Sequence, residues 1–214
     1  MLVRPPGVYR AQEDTALLRE AVRRCDQAAG RAVLDVGTGT GALAIEAARA
    51  GAASVTAIDL SRRSVLASWL NSRFRGIPAK VRRGDLFAPV GPHRFGLVIA
   101  NPPYVPAPSG RARGIDRCWD AGPDGRDLLD RLCTSAPSVL TEDGALMFVQ
   151  SELAGERTTL DQLRAAGLVP QIVHRQRIPF GPVLRERAPA LRARGLLADE
   201  QEDEELVVVE ARHG

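Results

Sequence analysis

Residues 32–52, AVLDVGTGTGALAIEAARAGA, constrain the fold of this chain more than any other segment. An apolar run leads into the glycine loop GTGTG at 37–41, and an alanine-rich helical stretch follows it. Glycines let the backbone adopt positive φ and approach a ligand closely, and the start of a helix offers unpaired N–H groups. The order of strand, glycine loop and helix therefore predicts the first unit of an α/β sheet that binds a nucleotide-like ligand.

Two cofactor classes use such a loop, and one acidic residue distinguishes them here. A dinucleotide site requires the pattern G-x-G-x-x-G/A, which Gly37, Gly39 and Ala42 satisfy formally. An S-adenosylmethionine site requires an acid two positions before the first glycine, where it meets the positive α-amino group, and Asp35 stands there. Because a carboxylate would lie unfavourably near a pyrophosphate, the loop, with Gly41 as its third glycine, favours S-adenosylmethionine over NAD and over a purely structural turn.

Acids also stand at the ends of the next two predicted strands. In SVTAIDL, Asp59 lies roughly 20 residues beyond the glycine loop, where a carboxylate can accept hydrogen bonds from both ribose hydroxyls. In AKVRRGDLF, Asp85 can accept from an adenine amino group while Leu86 covers the ring. Each acid could instead cap a helix or lie in a loop. Together with Asp35 and Asn101, they follow successive predicted strands at the edge where open α/β sheets bind ligands.

The tetrapeptide N-P-P-Y at 101–104 follows the apolar strand FGLVIA. Two prolines remove two backbone donors and fix φ at both positions, so the chain leaves the sheet in a stiff turn. The Asn101 carboxamide oxygen and the Pro102 carbonyl can both accept hydrogen bonds from one –NH2 group, beside the ring of Tyr104. Such a pair binds a planar amino group, as in adenine, cytosine or a glutamine amide. The alternative is a structural turn that begins with Asn for reasons of turn chemistry alone.

The combination of D-x-G-x-G-x-G, acids after the strands and N-P-P-Y resembles the class I S-adenosylmethionine-dependent methyltransferases of the amino-methylating branch. Within that branch, PPGVYRAQEDTALL at 5–18 and GIDRCWDAGPDGRDLLDRL at 114–132 are similar to segments of the short HemK-type release-factor glutamine methyltransferases. The resemblance implies a Rossmann-like α/β fold: a seven-stranded, mostly parallel sheet with an antiparallel C-terminal hairpin edge and helices on both faces. It also implies S-adenosylmethionine as cofactor and S-adenosylhomocysteine as product.

The resemblance further implies roles for individual residues. Asn101, Pro102 and Tyr104 would be catalytic, and no metal is expected. The cofactor contacts would be Thr15, Asp35, Gly37, Gly39, Gly41, Asp59, Asp85, Leu86 and Asn101. The chain departs from the family at residues 10–12, where Arg-Ala-Gln replaces the usual Glu-Pro-Ala, and at 180–205, a charged insertion before the last strand. These departures concern the methyl acceptor more than the chemistry.

Three functions remain open from the sequence. The first, which the resemblance implies, is methylation of an exposed glutamine in a protein or peptide such as a release factor. The second is methylation of adenine in DNA or RNA, or of a small-molecule amine. A nucleic-acid partner is disfavoured, because the basic stretch at 110–117 has few aromatic residues interleaved with it. The third is a non-catalytic S-adenosylmethionine-binding scaffold subunit.

A small activator subunit is a further expected partner. Only about 30 residues precede the first predicted strand. The bacterial release-factor enzymes that the chain resembles usually carry an extra N-terminal helical domain ahead of that strand, and this domain docks the substrate. Either a partner subunit replaces that domain or the substrate is different.

The composition narrows the class of protein. The net charge of +3 comes almost entirely from arginine, since Lys80 is the only lysine, which indicates a GC-rich coding sequence rather than a nucleic-acid-binding face. Cys25, Cys118 and Cys133 are widely spaced, which is typical of reduced thiols and not of a zinc site. The sequence has no apolar run of about 18 residues and opens with MLVR before two prolines. We therefore expect no membrane span, no signal peptide and a cytoplasmic location.

Strand and helix patterns alternate along the chain, which predicts one methyltransferase domain over 1–214 with a cap helix in 1–30. The acidic run at 199–205 is expected to be an exposed loop. Strands are predicted at 32–37, 54–59, 79–84, 95–100, 145–150, 168–178 and 206–211. Helices are predicted near 12–28, 41–50, 62–73, 124–140 and 156–166.

Overall fold

A computed structural model describes residues 1–107 and 114–214, and the seven strands found there form one sheet. The strands are β1 Ala32–Val36, β2 Ser54–Asp59, β3 Lys80–Arg83, β4 Phe95–Ala100, β5 Leu140–Ser151, β6 Leu168–Pro179 and β7 Asp203–His213. Their order is β3-β2-β1-β4-β5-β7-β6. Strands β1 to β5 run parallel, and β7 is antiparallel to both of its neighbours. The predicted fold class is confirmed.

Helices cover both faces of the sheet. They are α1 Glu13–Arg24, α2 Ala42–Arg49, α3 Arg62–Arg73, α4 Asp127–Ser135, α5 Glu156–Ala165 and α6 Pro182–Ala193. Along β4, Leu97 and Ile99 pack with α1 and α2, whereas Val98 and Ala100 pack with α4 and α5. Two covered faces explain why β4 is an unbroken apolar run. None of the helices in the described residues is long and apolar enough to cross a membrane.

Several element boundaries differ from the predictions: β5 begins at Leu140, five residues before the predicted position, and α1 ends at Arg24, four residues before its predicted end. Two further differences have local reasons. The helix predicted over 124–140 ends early and continues as a 3-10 turn that contains Pro137 near its start, because proline lacks the N–H that a continuing helix needs. Strand β7 begins three residues before the predicted position, since Asp203 pairs with Pro179 at the end of the long β6. Part of the acidic run at 199–205 therefore belongs to the sheet.

The loops that carry the predicted site residues lie along one edge of the sheet. Parallel strands β1 to β5 all end there. Antiparallel β7 begins at the same edge, as the pairing of Ser151 with Leu206 shows. The glycine loop after β1, the N-P-P-Y turn after β4 and the first residues of β7 are therefore neighbours along this edge.

Candidate active site

A cavity of about 670 Å³ lies at this edge of the sheet. It is lined by the first turn of α1, the glycine loop, the ends of β2, β3 and β4, and the start of α6. Most of the residues expected from the sequence line it together: Thr15, Gly37, Gly39, Asp59, Asp85, Leu86, Asn101, Pro102 and Tyr104. Asp35 and Gly41 lie outside the lining. Of the basic stretch at 110–117, residues 110–113 lie outside the described part of the chain.

The three glycines of the loop serve two different purposes. Gly37 and Gly39 have φ of +71° and +54°, and no heavy atom lies closer than 4.0 Å to the position of an added Cβ at either. Gly41 has φ of +81°, but its added Cβ would lie 2.8 Å from the Ser68 Oγ on α3. The first two glycines thus leave open backbone beside the cavity, whereas the third allows α2 and α3 to approach each other closely.

Asp35 is buried directly behind the glycine loop. Its Oδ2 accepts hydrogen bonds from the Thr38 hydroxyl at 2.5 Å and from the Ala44 N–H at 3.0 Å. Burial raises the pKa of Asp35 to about 7, although these two hydrogen bonds oppose the shift. Its Oδ1 is buried and has no hydrogen-bond partner in the described residues. An unpaired carboxylate oxygen behind open glycine backbone fits a ligand with a positively charged group, such as the α-ammonium of S-adenosylmethionine.

Asp59 holds the loop from the neighbouring strand. Its two carboxylate oxygens accept from the Gly39 N–H at 2.9 Å and from the Ser61 N–H at 2.8 Å. Burial raises the pKa of Asp59, and the backbone donors oppose that rise. Each carboxylate oxygen has a second lone pair, so the side chain can still accept from a ligand in the cavity.

The residues after β3 form the far end of the cavity. Asp85 is about half exposed and pairs with Arg131 of α4 at 2.8 Å, and both residues line the cavity. Leu86 has φ of +44°, a conformation that no other described non-glycine residue adopts. This conformation costs an L-residue roughly 1–2 kcal/mol, and such strain concentrates at ligand sites. Arg131 gave no signal in the sequence, because its pairing with Asp85 depends on tertiary structure.

The N-P-P-Y turn is fixed to the first turn of α1. The Asn101 Nδ2 donates to the Thr15 Oγ1 at 3.1 Å, and no hydrogen-bond donor to the Asn101 Oδ1 is found among the described residues. The Thr15 hydroxyl in turn donates to Asp14 at 3.2 Å. The hydroxyls of Tyr9 and Tyr104 donate to the other Asp14 oxygen at 2.6 and 3.3 Å. Burial raises the pKa of both tyrosines, so they remain neutral donors.

Asp14 is the residue that joins this network, and sequence reasoning missed its role. It is 6% exposed and accepts from both tyrosines and from Thr15. The signal was available, because Asp14 is the central residue of the E-D-T segment on which the family resemblance partly depends.

The charged insertion at 180–205 forms α6 and packs against the loop after N-P-P-Y. Its apolar residues Phe180, Leu184, Ala188, Leu191 and Leu197 form a cluster with Val105. Arg187 pairs with Asp120 and donates to the Pro106 carbonyl at 3.3 Å. Because Val183 and Leu184 also line the cavity, the insertion forms one wall of it.

The expectation that 199–205 is an exposed loop is wrong for Glu204. This residue is 5% exposed, lies in β7 and lines the cavity. Glu204 could not be recognised from the sequence, because its six neighbours in 199–205 are also charged or polar and the whole run is typical of a solvated loop.

Comparisons with known proteins identify the family of this chain. The sequence model of the Methyltransferase small domain family matches residues 2–116. The chain belongs to this family. A Methanocaldococcus jannaschii protein named "Putative protein N5-glutamine methyltransferase" is 30% identical over 177 residues, which cover 82% of this chain and 88% of that protein.

Two further comparisons are with a curated relative and a solved structure. The release factor glutamine methyltransferase of Gloeobacter violaceus is 33% identical, and the match covers 76% of this chain but only 60% of that relative's length. The E. cuniculi Mtq2-Trm112 complex, described as responsible for methylation of the eRF1 translation termination factor, matches with a TM-score of 0.68. That match covers 97% of this chain and 99% of the other at 22% identity, and shows the fold alone.

The methyltransferase uses S-adenosylmethionine, and its cavity suits direct methyl transfer. The cofactor supplies an activated methyl group when bound. The site must therefore position the nucleophile and accept hydrogen bonds from its N–H groups. A strong base is less important, because the methyl group is already activated. Asn101 and Pro102, which line the cavity, each carry an oxygen that can accept hydrogen bonds.

Proposed function

We propose that the methyltransferase transfers a methyl group to the side-chain amide nitrogen of a glutamine in a protein, such as a peptide release factor. The observation that carries the proposal is the fixed orientation of Asn101, whose Nδ2 donates to Thr15 and whose Oδ1 accepts from no donor in the described part of the chain. With the Pro102 carbonyl, this oxygen makes a pair of acceptors for a planar –NH2 group. The names of the relatives in M. jannaschii and G. violaceus support glutamine as the acceptor.

The chemistry follows from the weak nucleophilicity of an amide nitrogen. Its lone pair is delocalised, so attack on a methyl group generates positive charge on nitrogen. Asn101 and Pro102 accept from the two N–H groups, and they stabilise that charge where it develops. Holding the nitrogen and the methyl carbon about 3–3.5 Å apart and in line lowers the barrier further. The ring of Tyr104 lies against the flat amide, and its hydroxyl is held by Asp14.

The cofactor roles divide along the sheet edge in this proposal. Asp59 accepts from the ribose hydroxyls, and Asp85 and Leu86 contact the adenine. Gly37, Gly39 and the buried Asp35 hold the methionine end, and Thr15 lies between the cofactor and Asn101. Gly41 contributes through the packing of α2 on α3 and not through ligand contact.

A small activator subunit is the second part of the proposal. The Mtq2 structure, whose fold this chain shares, is a complex with a second protein, Trm112. Three side chains on or beside α3, Leu66, Trp69 and Phe74, are 49–69% exposed, which is unusual for large apolar residues. Full turnover of release factor by the purified chain alone would contradict the need for a subunit.

The function is tested with labelled S-adenosylmethionine and a purified release factor. We expect a methyl group on the glutamine of the Gly-Gly-Gln loop, located by mass spectrometry, and none when that glutamine is replaced by glutamate. DNA and RNA serve as the competing acceptors. Label on adenine, with binding that weakens steeply as salt rises, would replace the glutamine assignment with nucleic-acid methylation.

A further inference from the structure

Glu204 lies on the acceptor side of the cavity. Along the sheet edge the order is Asp85, Asp59, the glycine loop, Asn101 and then, beyond β5, Glu204 at the start of β7. Strands are about 4.8 Å apart, so β7 lies roughly 10 Å from β4. Asn101 therefore separates Glu204 from the two acids that line the cofactor half.

The orientation of Glu204 differs from that of its neighbours. Asp203 and Glu205 pair with Arg177 at 3.1 Å and with Arg175 at 2.8 Å on β6. Successive side chains of a strand point to opposite faces, and Glu204 points inward. Its Oε2 is buried and has no hydrogen-bond partner in the described residues, although its residue lines the cavity. A buried carboxylate oxygen without a donor is costly, so it indicates a ligand that supplies one.

We propose that Glu204 is a specificity residue for the methyl acceptor, and that its free oxygen accepts a hydrogen bond from a backbone N–H of the peptide that carries the glutamine. This inference rests on the proposed function. Because β7 lies about 10 Å from β4, the peptide N–H that binds Glu204 must be several bonds away from the side-chain –NH2 group that Asn101 holds. Adenine fits less well, since a base joined to its sugar offers no N–H donor besides the amino group that Asn101 and Pro102 hold.

The surroundings of Glu204 make its charge sensitive to pH near neutrality. Burial raises its pKa to about 7, and the negative charges of Asp14 on α1 and Glu152 after β5 add to the rise, while the Ser151 hydroxyl opposes it. Tyr104 also faces Glu204 and stays neutral, and Ile178 pairs with it from β6. Glu204 is thus ionised at pH 8, where it accepts a hydrogen bond best, and mostly protonated at pH 6.

The test compares Glu204→Gln with the matched control Glu205→Gln, whose side chain belongs to the Arg175 pair. For Glu204→Gln we expect the KM for release factor to rise roughly tenfold or more, with the Kd for S-adenosylmethionine changed less than about twofold. The control should keep wild-type values of both. The wild-type KM should rise as pH falls from 8 to 6, and the KM of the Gln variant should not. Glu204→Asp, which keeps the charge, should retain the pH dependence.

Two different outcomes overturn the two proposals separately. A folded Glu204→Gln variant with the wild-type KM and the wild-type pH dependence overturns the role of Glu204 and leaves glutamine methylation intact. Wild-type protein that methylates nucleic acid but no glutamine overturns the proposed function, and with it a peptide N–H as the partner of Glu204. A melting temperature for each variant verifies that the protein is folded.

Discussion

The Nδ2 of Asn101 donates to the Oγ1 of Thr15 at 3.1 Å, although the two residues are 86 positions apart in the sequence. This bond connects the first turn of α1 to the turn after β4. A carboxamide without this bond could rotate and turn either its oxygen or its –NH2 group towards the substrate that receives the methyl group. The contact with Thr15, itself held by Asp14, selects one orientation, so α1 takes part in the active site.

Asn101→Ala removes the side-chain acceptor for the substrate amide. We expect kcat to fall by about 10²-fold or more, as for the loss of one preorganised contact to a transition state. The Kd for S-adenosylmethionine should change much less, because the acids after β2 and β3 remain. Methyl transfer to release factor and cofactor calorimetry measure the two effects. Near-wild-type turnover would exclude the role of Asn101 in holding the amide.

Thr15→Val keeps the shape of the side chain but removes the hydroxyl that fixes Asn101. We expect a smaller fall in kcat, about tenfold, because the carboxamide samples two orientations. In a double-mutant cycle the effects of Thr15→Val and Asn101→Ala should not add, since both act on one acceptor. Additive effects would mean that Thr15 acts independently of Asn101.

The fold and most of the cavity residues named from the sequence could be predicted because their signals are local. The glycine loop and each strand-end polar residue stand in short contiguous segments, so the sequence alone could predict that Asp59 and Asn101 lie at one edge of the sheet, where both line the cavity. The pairing of Arg131 with Asp85 and the inward face of Glu204 depend on residues far apart in the chain. Nothing in the local sequence of the charged insertion at 180–205 indicates that its apolar residues form a wall of the cavity.

Asp59→Ala tests the cofactor half. Loss of hydrogen bonds to a charged group should cost roughly 1.5–3 kcal/mol of S-adenosylmethionine affinity. Part of the loss comes from the loop, since Asp59 also accepts from the Gly39 N–H. Calorimetry with S-adenosylmethionine, S-adenosylhomocysteine and NAD gives the comparison, and we expect no binding of NAD. Tight NAD binding would contradict the interpretation of the glycine loop.

Gly37→Ala and Gly41→Ala should separate ligand contact from packing. Both positions have positive φ, so both variants carry a similar backbone cost of roughly 1 kcal/mol. Only at Gly41 does the new methyl meet Ser68, so Gly41→Ala should have the lower free energy of unfolding. Gly37→Ala should instead lose more cofactor affinity. Denaturant titrations and calorimetry on both variants measure these changes, and equal losses of stability would argue against a packing role for Gly41.

Glu204 should make the protein less stable as pH rises towards neutrality. Its pKa is about 7 in the folded protein and 4.5 ordinarily, so the folded state keeps the proton longer than the unfolded state. Stability therefore falls between about pH 4.5 and 7 and stays low above that window, by at most about 3 kcal/mol. Glu204→Gln removes this cost, and its gain in unfolding free energy over wild type should be larger at pH 8 than at pH 5. Denaturation of both proteins at the two pH values gives the difference in unfolding free energy between variant and wild type at each pH. Contributions from other titrating groups, such as Asp35, are the same in both proteins and cancel in this difference. A variant less stable than wild type by the same amount at both pH values would show that Glu204 does not titrate with a raised pKa.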